Sequence, residues 1–426
     1  MTTESTRLSI QEICRRSKET SRILMGASTE QKNEALQKIA DCLWEYREEI
    51  LDGNQEDLIA ARSTGMSTAM LDRLLLDESR MATIVSDLRD VVSLPDPVGE
   101  IIEAQELPNG LLISRQRVPL GVLGVIYEAR PNVTVDAAGL CLKSGNCAIL
   151  RGGSETIHSN LAIVKAVQRG LMNTSIPENA VQLVADPDRA LVLELLQMDR
   201  YIDMIIPRGS AGLHEFCRQN SRIPVIIGGI GICHLFVDES ADQLRAIEVI
   251  RNAKIQRPSV CNALDTCLVH KSIASAFLPQ LVSRLAADGV TFRSDEKARG
   301  ILNGLSFDCI QPAGDQDFDT EWLSLVLGLK VVENLDEAIA HIAAHSTAHS
   351  DGILTENKEN VYKFLKEVDS AVVYVNASTR FTDGSQMGLG AEMAISTQRL
   401  HARGPMGLRE LTTYKWIVQG DYTIRS

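Results

Sequence analysis

The sequence lacks a CxxC pair, an HExxH segment and a GxGxxG after any predicted strand. No uncharged apolar run in it reaches the ~18 residues that a membrane span needs. Each absence removes a class of function. Nine cysteines stand at positions 14, 42, 141, 147, 217, 233, 261, 267 and 309. An odd, scattered set argues against a disulfide framework and a structural zinc site, and fits a reducing, cytoplasmic setting. The N-terminal MTTESTRLSIQEIC is polar and carries no secretory signal. The longest apolar stretch, Ile223 to Val237, is interrupted by Pro224, by glycines and by His234, so no membrane role is expected. Positive charge is also in deficit: 43 Lys and Arg against 56 Asp and Glu give a net charge of −13. Nucleic acid is therefore excluded as a main partner, while a locally basic pocket for a small anion stays open. There are no internal repeats and no low-complexity tracts. What remains is an ordinary globular composition, 44% hydrophobic and 23% charged over 426 residues, enough for two or three domains.

The first hundred residues read as helices. Ser28 and Gln31 form a capping box, and Leu36, Ile39, Ala40 and Leu43 make an apolar stripe behind it. A second amphipathic helix is predicted from Leu71 to Val92, ended by Pro95, Pro97 and Gly99. Pro108-Asn109-Gly110 then separates two extended runs, a ribbon with a hairpin turn. From Gly121 onward short, continuously apolar segments alternate with helical ones. Strands are predicted at Val122–Tyr127, Cys147–Leu150, Val181–Val184, Met204–Ile206, Val225–Ile227, Leu235–Val237, Thr266–Val269, Leu329–Val332, Gly352–Leu354 and Ala371–Val375. Continuous apolarity means burial on both faces, hence parallel sheets covered by helices and an α/β fold. The glycines of Gly228-Gly229-Ile230-Gly231 suggest a hinge between two α/β domains. The segment Leu408–Arg425 alternates enough to pair with the ribbon near Leu111.

Several segments bear chemistry, each with a bland counterpart. Leu150-Arg151-Gly152-Gly153-Ser154 follows a buried strand and precedes a helix, where glycine amides and a cation suit a phosphate. It reads equally as a plain strand-to-helix turn. Pro207-Arg208-Gly209-Ser210 has the same two readings. Cys261, in Gln256-Arg257-Pro258-Ser259-Val260-Cys261-Asn262, is a loop thiol beside a cation, which suits a nucleophile, or else a small buried hydrophobe. Arg130-Pro131-Asn132 follows a strand end, where Asn132 is either an oxyanion donor or a turn residue. His341, His345 and His349 recur at helical spacing. Ser346, Thr347 and Asp351-Gly352 end the helix before His349, and a solvated helix end is preferred to a metal site.

Together these segments resemble the aldehyde dehydrogenase superfamily, and within it the acyl-phosphate-reducing branch. The resemblance spans nearly the whole chain. It is carried by VPLGVLGVIYEARPNVTVDAAGLCLKSGNCAILRGG, RPSVCNALDT, SAVVYVNASTRFTDG and ISTQRLHARGPMGLRELTTYKW, in that order. It implies a Rossmann-like cofactor domain over 1–108 and 126–229 and an α/β catalytic domain over 230–402. A small β-ribbon over 109–125 and 403–426 is implied as an oligomerisation element of a dimer or tetramer. It implies Cys261 as the catalytic thiol and Asn132 as oxyanion donor. Arg151, Gly152, Gly153, Ser154, Pro207, Arg208, Gly209 and Glu321 are implied on the cofactor, with Glu321 at the nicotinamide ribose. Arg130, Ser378 and Arg380 are implied on the substrate, and no metal. Ser154 stands where NAD-preferring members often place a Glu, which favours NADPH. The segment matching their Glu-Leu-Gly-Gly, Ile227 to His234, has no carboxylate to activate water.

The implied reaction is NADPH-dependent reduction of L-glutamyl 5-phosphate to L-glutamate 5-semialdehyde through a Cys thioester, with functional coupling to a glutamate 5-kinase. Three alternatives stand beside it: a hydrolytic semialdehyde dehydrogenase of the same fold, a non-catalytic scaffold paralogue, and a metal-dependent hydrolase built on the histidines.

Overall fold

The computed structural model describes residues 8–228, 230–304 and 308–425, apart from the side chain of Ala69. The polar segment 1–7 and Gly229 of the predicted hinge lie outside the described residues. The chain forms two compact units, one of Met1–Ile227, Gly388–Ala394 and Met406–Ser426, the other of Gly228–Met387 and Ile395–Pro405. Among the described residues no helix is long and apolar enough to cross a membrane.

The first unit opens with helices α1 (Ile10–Leu24), α2 (Thr29–Glu45), α3 (Arg47–Ser63), α4 (Thr68–Leu74) and α5 (Glu78–Ser93). The box at Ser28 and Gln31 caps α2 in both directions, and Leu36, Ile39, Ala40 and Leu43 are buried behind it. The helix expected over Leu71–Val92 is instead two helices. Asp77 turns extended and accepts the Arg80 N–H as a fresh N-cap, so the chain restarts rather than continues.

Strands β1 (Ile101–Glu106) and β2 (Leu112–Pro119) follow, joined through Pro108-Asn109-Gly110 with Gly110 at φ +81°. Next come β3 (Val122–Tyr127), α6 (Asn132–Lys143), β4 (Cys147–Arg151), α7 (Ile157–Leu171), β5 (Val181–Leu183), α8 (Arg189–Leu196), β6 (Met204–Arg208) and α9 (Ala211–Asn220). The four strands from β3 to β6 form one parallel sheet in the order β5-β4-β3-β6. Every residue of β3 and β4 is buried, as the unbroken apolar runs require. Val225–Ile227 does not extend this sheet: only Val225 bridges to Ile205. Pro224 offers a carbonyl but no N–H, so the ladder stops. The N-terminus of α7 is capped from another helix. Asp57 on α3 accepts the N–H groups of His158 and Ser159, at 3.1 and 2.8 Å.

The second unit holds β7 (Cys233–Val237), α10 (Gln243–Ile255), β8 (Leu264–His270), α11 (Lys271–Ala286), β9 (Thr291–Ser294), α12 (Glu296–Leu302), β10 (Ile310–Pro312), β11 (Val326–Val332), α13 (Leu335–His345), β12 (Ser350–Leu354), α14 (Lys358–Glu367) and β13 (Val372–Val375). Strands β7 to β13 form one seven-stranded sheet, all parallel, in the order β10-β9-β11-β8-β7-β12-β13. Two apolar clusters cover the sheet. One gathers Leu235, Ile250, Phe277, Leu281, Phe292 and Leu327; the other gathers Phe236, Leu268, Val332, Ile342, Ile353 and Phe364.

Short strands β14 (Ala394–Ser396) and β15 (Gly404–Met406) precede β16 (Thr412–Gln419). The last pairs antiparallel with β2 over its whole length, so the ribbon is three-stranded in the order β1-β2-β16. Arg115 on β2 stacks over the rings of Tyr414 and Trp416 at 4.9 and 5.4 Å.

Candidate active site

In the first unit, three sequence segments of interest meet at one edge of one sheet. Arg130-Pro131-Asn132 follows β3, Arg151 ends β4 with Gly152 to Ser154 beyond it, and Pro207 and Arg208 end β6 with Gly209 beyond them. The register fixes their adjacency: Ile126 pairs with Arg151 and Tyr127 with Arg208. Carboxyl ends of neighbouring parallel strands are where open α/β sheets bind ligands. The glycines there are required by close packing. A Cβ on Gly152 would meet the side-chain nitrogen of Asn160 at 2.1 Å. Asn160 in turn belongs to a buried chain with Thr134 and the Tyr127 hydroxyl.

Asn132 is half-buried at the first turn of α6, and its amide donates to Asp136 at 3.0 Å. Burial pushes the Asp136 carboxyl up to about 6, against the pull of Arg208 and Asn132. Arg130 and Gly209 are exposed, Arg208 is half-buried and Ser154 is exposed. Arg151 is turned inward. It is 7% exposed, and its two terminal nitrogens donate to the carbonyls of Gly152 and Pro187. Its Nε is buried with no hydrogen-bond partner, and burial lowers its pKa. One orphaned donor, two glycines and an accessible guanidinium at Arg208 suit an anionic dinucleotide at this edge.

In the second unit, Cys261 lies in the loop between α10 and β8, at the amino end of its strand. Gly231 precedes β7 and Glu321 precedes β11, so all three approach the same end of adjacent strands. The Gly231 N–H donates to Glu321 Oε1 at 2.9 Å, and a Cβ on Gly231 would lie 1.6 Å from the Cys261 carbonyl oxygen. Close backbone approach, rather than hinge freedom, explains glycine here. Gly228 is similar, with the Ile395 carbonyl oxygen 1.8 Å from where its Cβ would be.

Ser378 is buried and caps a short helical turn, Thr379–Phe381, which carries Arg380. That turn is pinned to the thiol loop. Thr379 Oγ1 donates to the Asn262 carbonyl at 2.7 Å, the Asn262 amide donates to the Thr382 carbonyl at 2.8 Å, and Arg380 Nε donates to Gln256 at 3.0 Å. Cys261, Glu321, Ser378 and Arg380 are thus brought together within one unit.

Burial pushes up the thiol pKa of the other eight cysteines. Cys42, Cys261 and Cys309 are the half-exposed ones. Carboxylates beside Cys42 and Cys309 add to the upward shift there, with Arg169 and Lys38 opposing it in part at Cys42. Cys261 instead lies within electrostatic reach of the Arg380 guanidinium, whose own pKa burial and Arg257 lower. Glu321 is pushed up to about 7 by burial, with Asp265 adding to the rise and the Gly231 N–H opposing it.

Sequence reasoning took Gly231 for part of a hinge and gave no role to Cys233, Lys254 or Asp265. Asp265 is a lone charge in the apolar strand β8, a signal that was available. The histidines required correction: α13 ends at His345 as expected, but His341 and His349 are buried at 5% and 0% exposure rather than solvated. His349 bonds Ser350 on the next strand, and His341 packs edge-on against Phe318. Among the described residues, no group of three His, Cys, Asp or Glu side chains is placed to hold a metal ion.

A profile of the aldehyde dehydrogenase family matches residues 2–298. The chain is 57% identical over 417 residues to a γ-glutamyl phosphate reductase of Aeromonas salmonicida, covering 98% of this chain and 100% of that protein. A γ-glutamyl phosphate reductase of Psychromonas ingrahamii is 56% identical, with coverage of 98% and 100%. The crystal structure of γ-glutamyl phosphate reductase from Thermotoga maritima superposes with a TM-score of 0.96 at 49% identity, covering 98% of this chain and 100% of that one.

Proposed function

This chain belongs to the aldehyde dehydrogenase family, and on that premise we propose how its residues divide the work. It reduces L-glutamyl 5-phosphate to L-glutamate 5-semialdehyde and releases phosphate, a step on the route from glutamate to proline. The observation that carries the assignment of roles is the thiol loop: a half-exposed Cys261, close to a guanidinium and locked by Gly231, Asn262 and Gln256.

Cys261 attacks the γ-carbonyl carbon as thiolate. The carbon–sulfur bond forms, the carbon–oxygen bond to phosphate breaks, and phosphate leaves with the electron pair. The oxyanion of that step is held by the Cys261 backbone N–H and the Asn132 amide, contacts worth about 3–4 kcal/mol each in other enzymes. Arg130 takes the departing phosphate, and Ser378 with Arg380 takes the α-carboxylate. A nicotinamide cofactor, when bound, supplies the hydride that reduces the thioester. Residues 227–234 bring no carboxylate to activate water against that thioester. The thiohemiacetal alkoxide then expels the Cys261 thiolate and gives the aldehyde.

For the cofactor we assign NADPH. Ser154 adds no negative charge beside a 2′-phosphate, and Glu321 is the acceptor for ribose hydroxyls. With the two terminal nitrogens of Arg151 engaged by carbonyls, Arg208 is the better cation for a cofactor phosphate; Gly152, Gly153, Pro207 and Gly209 line the same edge. Exposed Ile101, Leu112, Tyr414, Trp416 and Val418 on the ribbon support a homo-oligomer, a dimer or tetramer. The lability of an acyl phosphate supports coupling to the glutamate 5-kinase that makes it, in the cytoplasm.

The test is the reverse reaction with the semialdehyde, NADP and varied inorganic phosphate. The oxidation rate should rise with phosphate and vanish without it. Equal turnover to free glutamate in the absence of phosphate would identify a hydrolytic dehydrogenase instead.

A further inference from the structure

Cys233 is the first residue of β7, wholly buried, two residues beyond Gly231. Its thiol donates to the carbonyl oxygen of Cys261 at 3.3 Å. Its sulfur is therefore in contact with the backbone of the very residue that carries the reactive thiol. The Gly231 contact holds the two segments in that apposition, since nothing larger fits between them and the Cys261 carbonyl. The two thiols differ in access: Cys261 is half-exposed and Cys233 is sealed. A redox-sensing pair is built this way, with one thiol open to an oxidant and a resolving thiol next to it.

We propose that Cys233 is the resolving partner of Cys261, and that the pair closes into a reversible disulfide when Cys261 is oxidised. The inference rests on the reading of Cys261 as the catalytic thiol. A hydroperoxide is the oxidant. The Cys261 thiolate attacks its peroxide bond, an S–O bond forms, the O–O bond breaks, and Cys261 becomes a sulfenic acid while the peroxide is reduced to water or an alcohol. The Cys233 sulfur then attacks the sulfenic sulfur. The S–S bond forms, the S–O bond breaks, and the Cys233 proton leaves with hydroxide as water. A small dithiol reverses the sequence, ending as its own disulfide.

The physical gain is protection. A sulfenic acid left alone is open to further oxidation to the sulfinic acid, which small thiols do not reverse. The chain contains a contrasting pair: Cys141 and Cys147 also lie within electrostatic reach of each other, but both are wholly buried. Neither is open to the first oxidation, so they stay as thiols.

The experiment uses the full-length enzyme with equimolar hydrogen peroxide, then alkylation under denaturing conditions, digestion and mass spectrometry. Activity is followed before and after dithiothreitol. In the parent, a peptide pair spanning Cys233 and Cys261 should appear two hydrogens lighter than the separate thiols. Activity should fall with its formation and return fully with dithiothreitol. In Cys233→Ala, checked for native melting, inactivation should be recovered at least tenfold less completely, with Cys261 found as sulfinic acid. Cys261→Ser should form no cross-link and provides a control if Cys233→Ala melts early. Sulfinic Cys261 beside an alkylatable Cys233 in the parent overturns the proposal, as does equal recovery in Cys233→Ala. A cross-link that forms while activity persists supports the disulfide and removes Cys261 from catalysis, so the two readings fail separately.

Discussion

Lys254 Nζ stands 3.7 Å from Asp265 Oδ1, and neither side chain reaches solvent. Asp265 also accepts the N–H groups of Trp322 and Cys233, at 3.1 and 3.4 Å. One carboxylate on β8 thus ties the segment before β11 to the start of β7, and the ammonium from α10 balances its charge. Burial lifts Asp265 to about 6 and lowers Lys254.

Removing the ammonium alone leaves a buried carboxylate unpaired. Lys254→Met is expected to cost about 3–5 kcal/mol of unfolding free energy. The double variant Lys254→Met with Asp265→Asn should recover part of that loss. Denaturant unfolding of the four proteins in the cycle measures the coupling; a single variant as stable as the parent would show that the pair contributes nothing.

Gly231→Ala drives a methyl group into the carbonyl of Cys261. The thiol must shift by about the size of that overlap, and misplacement of a reacting atom by ~1 Å costs on the order of 100-fold. Turnover should fall by that order while the melting temperature of the variant stays measurable. Parent-like kcat would show that the loop relaxes without moving the sulfur.

Glu321 titrates near neutrality because it is buried beside Asp265. It is ionised above about 7 and neutral below. The ionised form is the stronger acceptor for ribose hydroxyls. The kcat/KM for NADPH should therefore decline as pH falls through 7. Glu321→Gln should lower it at high pH and remove that limb. A profile with the same limb in Glu321→Gln assigns it to another group.

Acid stability follows from the buried histidines. Burial holds His349 neutral down to about 4 and His341 to about 2. In the unfolded chain each takes up a proton near 6.5. The unfolded state then binds more protons, so stability is complete above about 6.5 and falls as pH drops toward 4. For His349 the loss by pH 4 is on the order of 3 kcal/mol. His349→Gln should flatten that slope in chemical unfolding measured from pH 7.5 to 4.5; an unchanged slope would place the proton uptake elsewhere.

Much of this molecule was legible in its sequence. The apolar runs of β3, β4 and β6 and the capping box of α2 follow local rules, and the structure has them. The pairing of the C-terminal strand with the ribbon was readable from its alternation. Other features were invisible because they depend on distant partners. Nothing near Arg151 in the chain says that Pro187 will cap its guanidinium. Nothing near His341 announces Phe318, and so helical spacing suggested a wet face where the fold made a dry one. Val225–Ile227 had the composition of a strand, but Pro224 limited its pairing. Gly231 looked like a pivot, and its function as a spacer emerges only once the Cys261 loop is in place.

The pairing of β2 with β16 has a bearing on synthesis. The middle strand of the ribbon is translated well before its neighbour, with the strands of both parallel sheets lying between the two in the chain. Until then that edge of the nascent polypeptide has no partner, and the earlier unit lacks its closing stretch, Met406–Ser426. Folding of this unit cannot finish before β16 has been made, and a stop at residue 405 strands β2 with one bare edge.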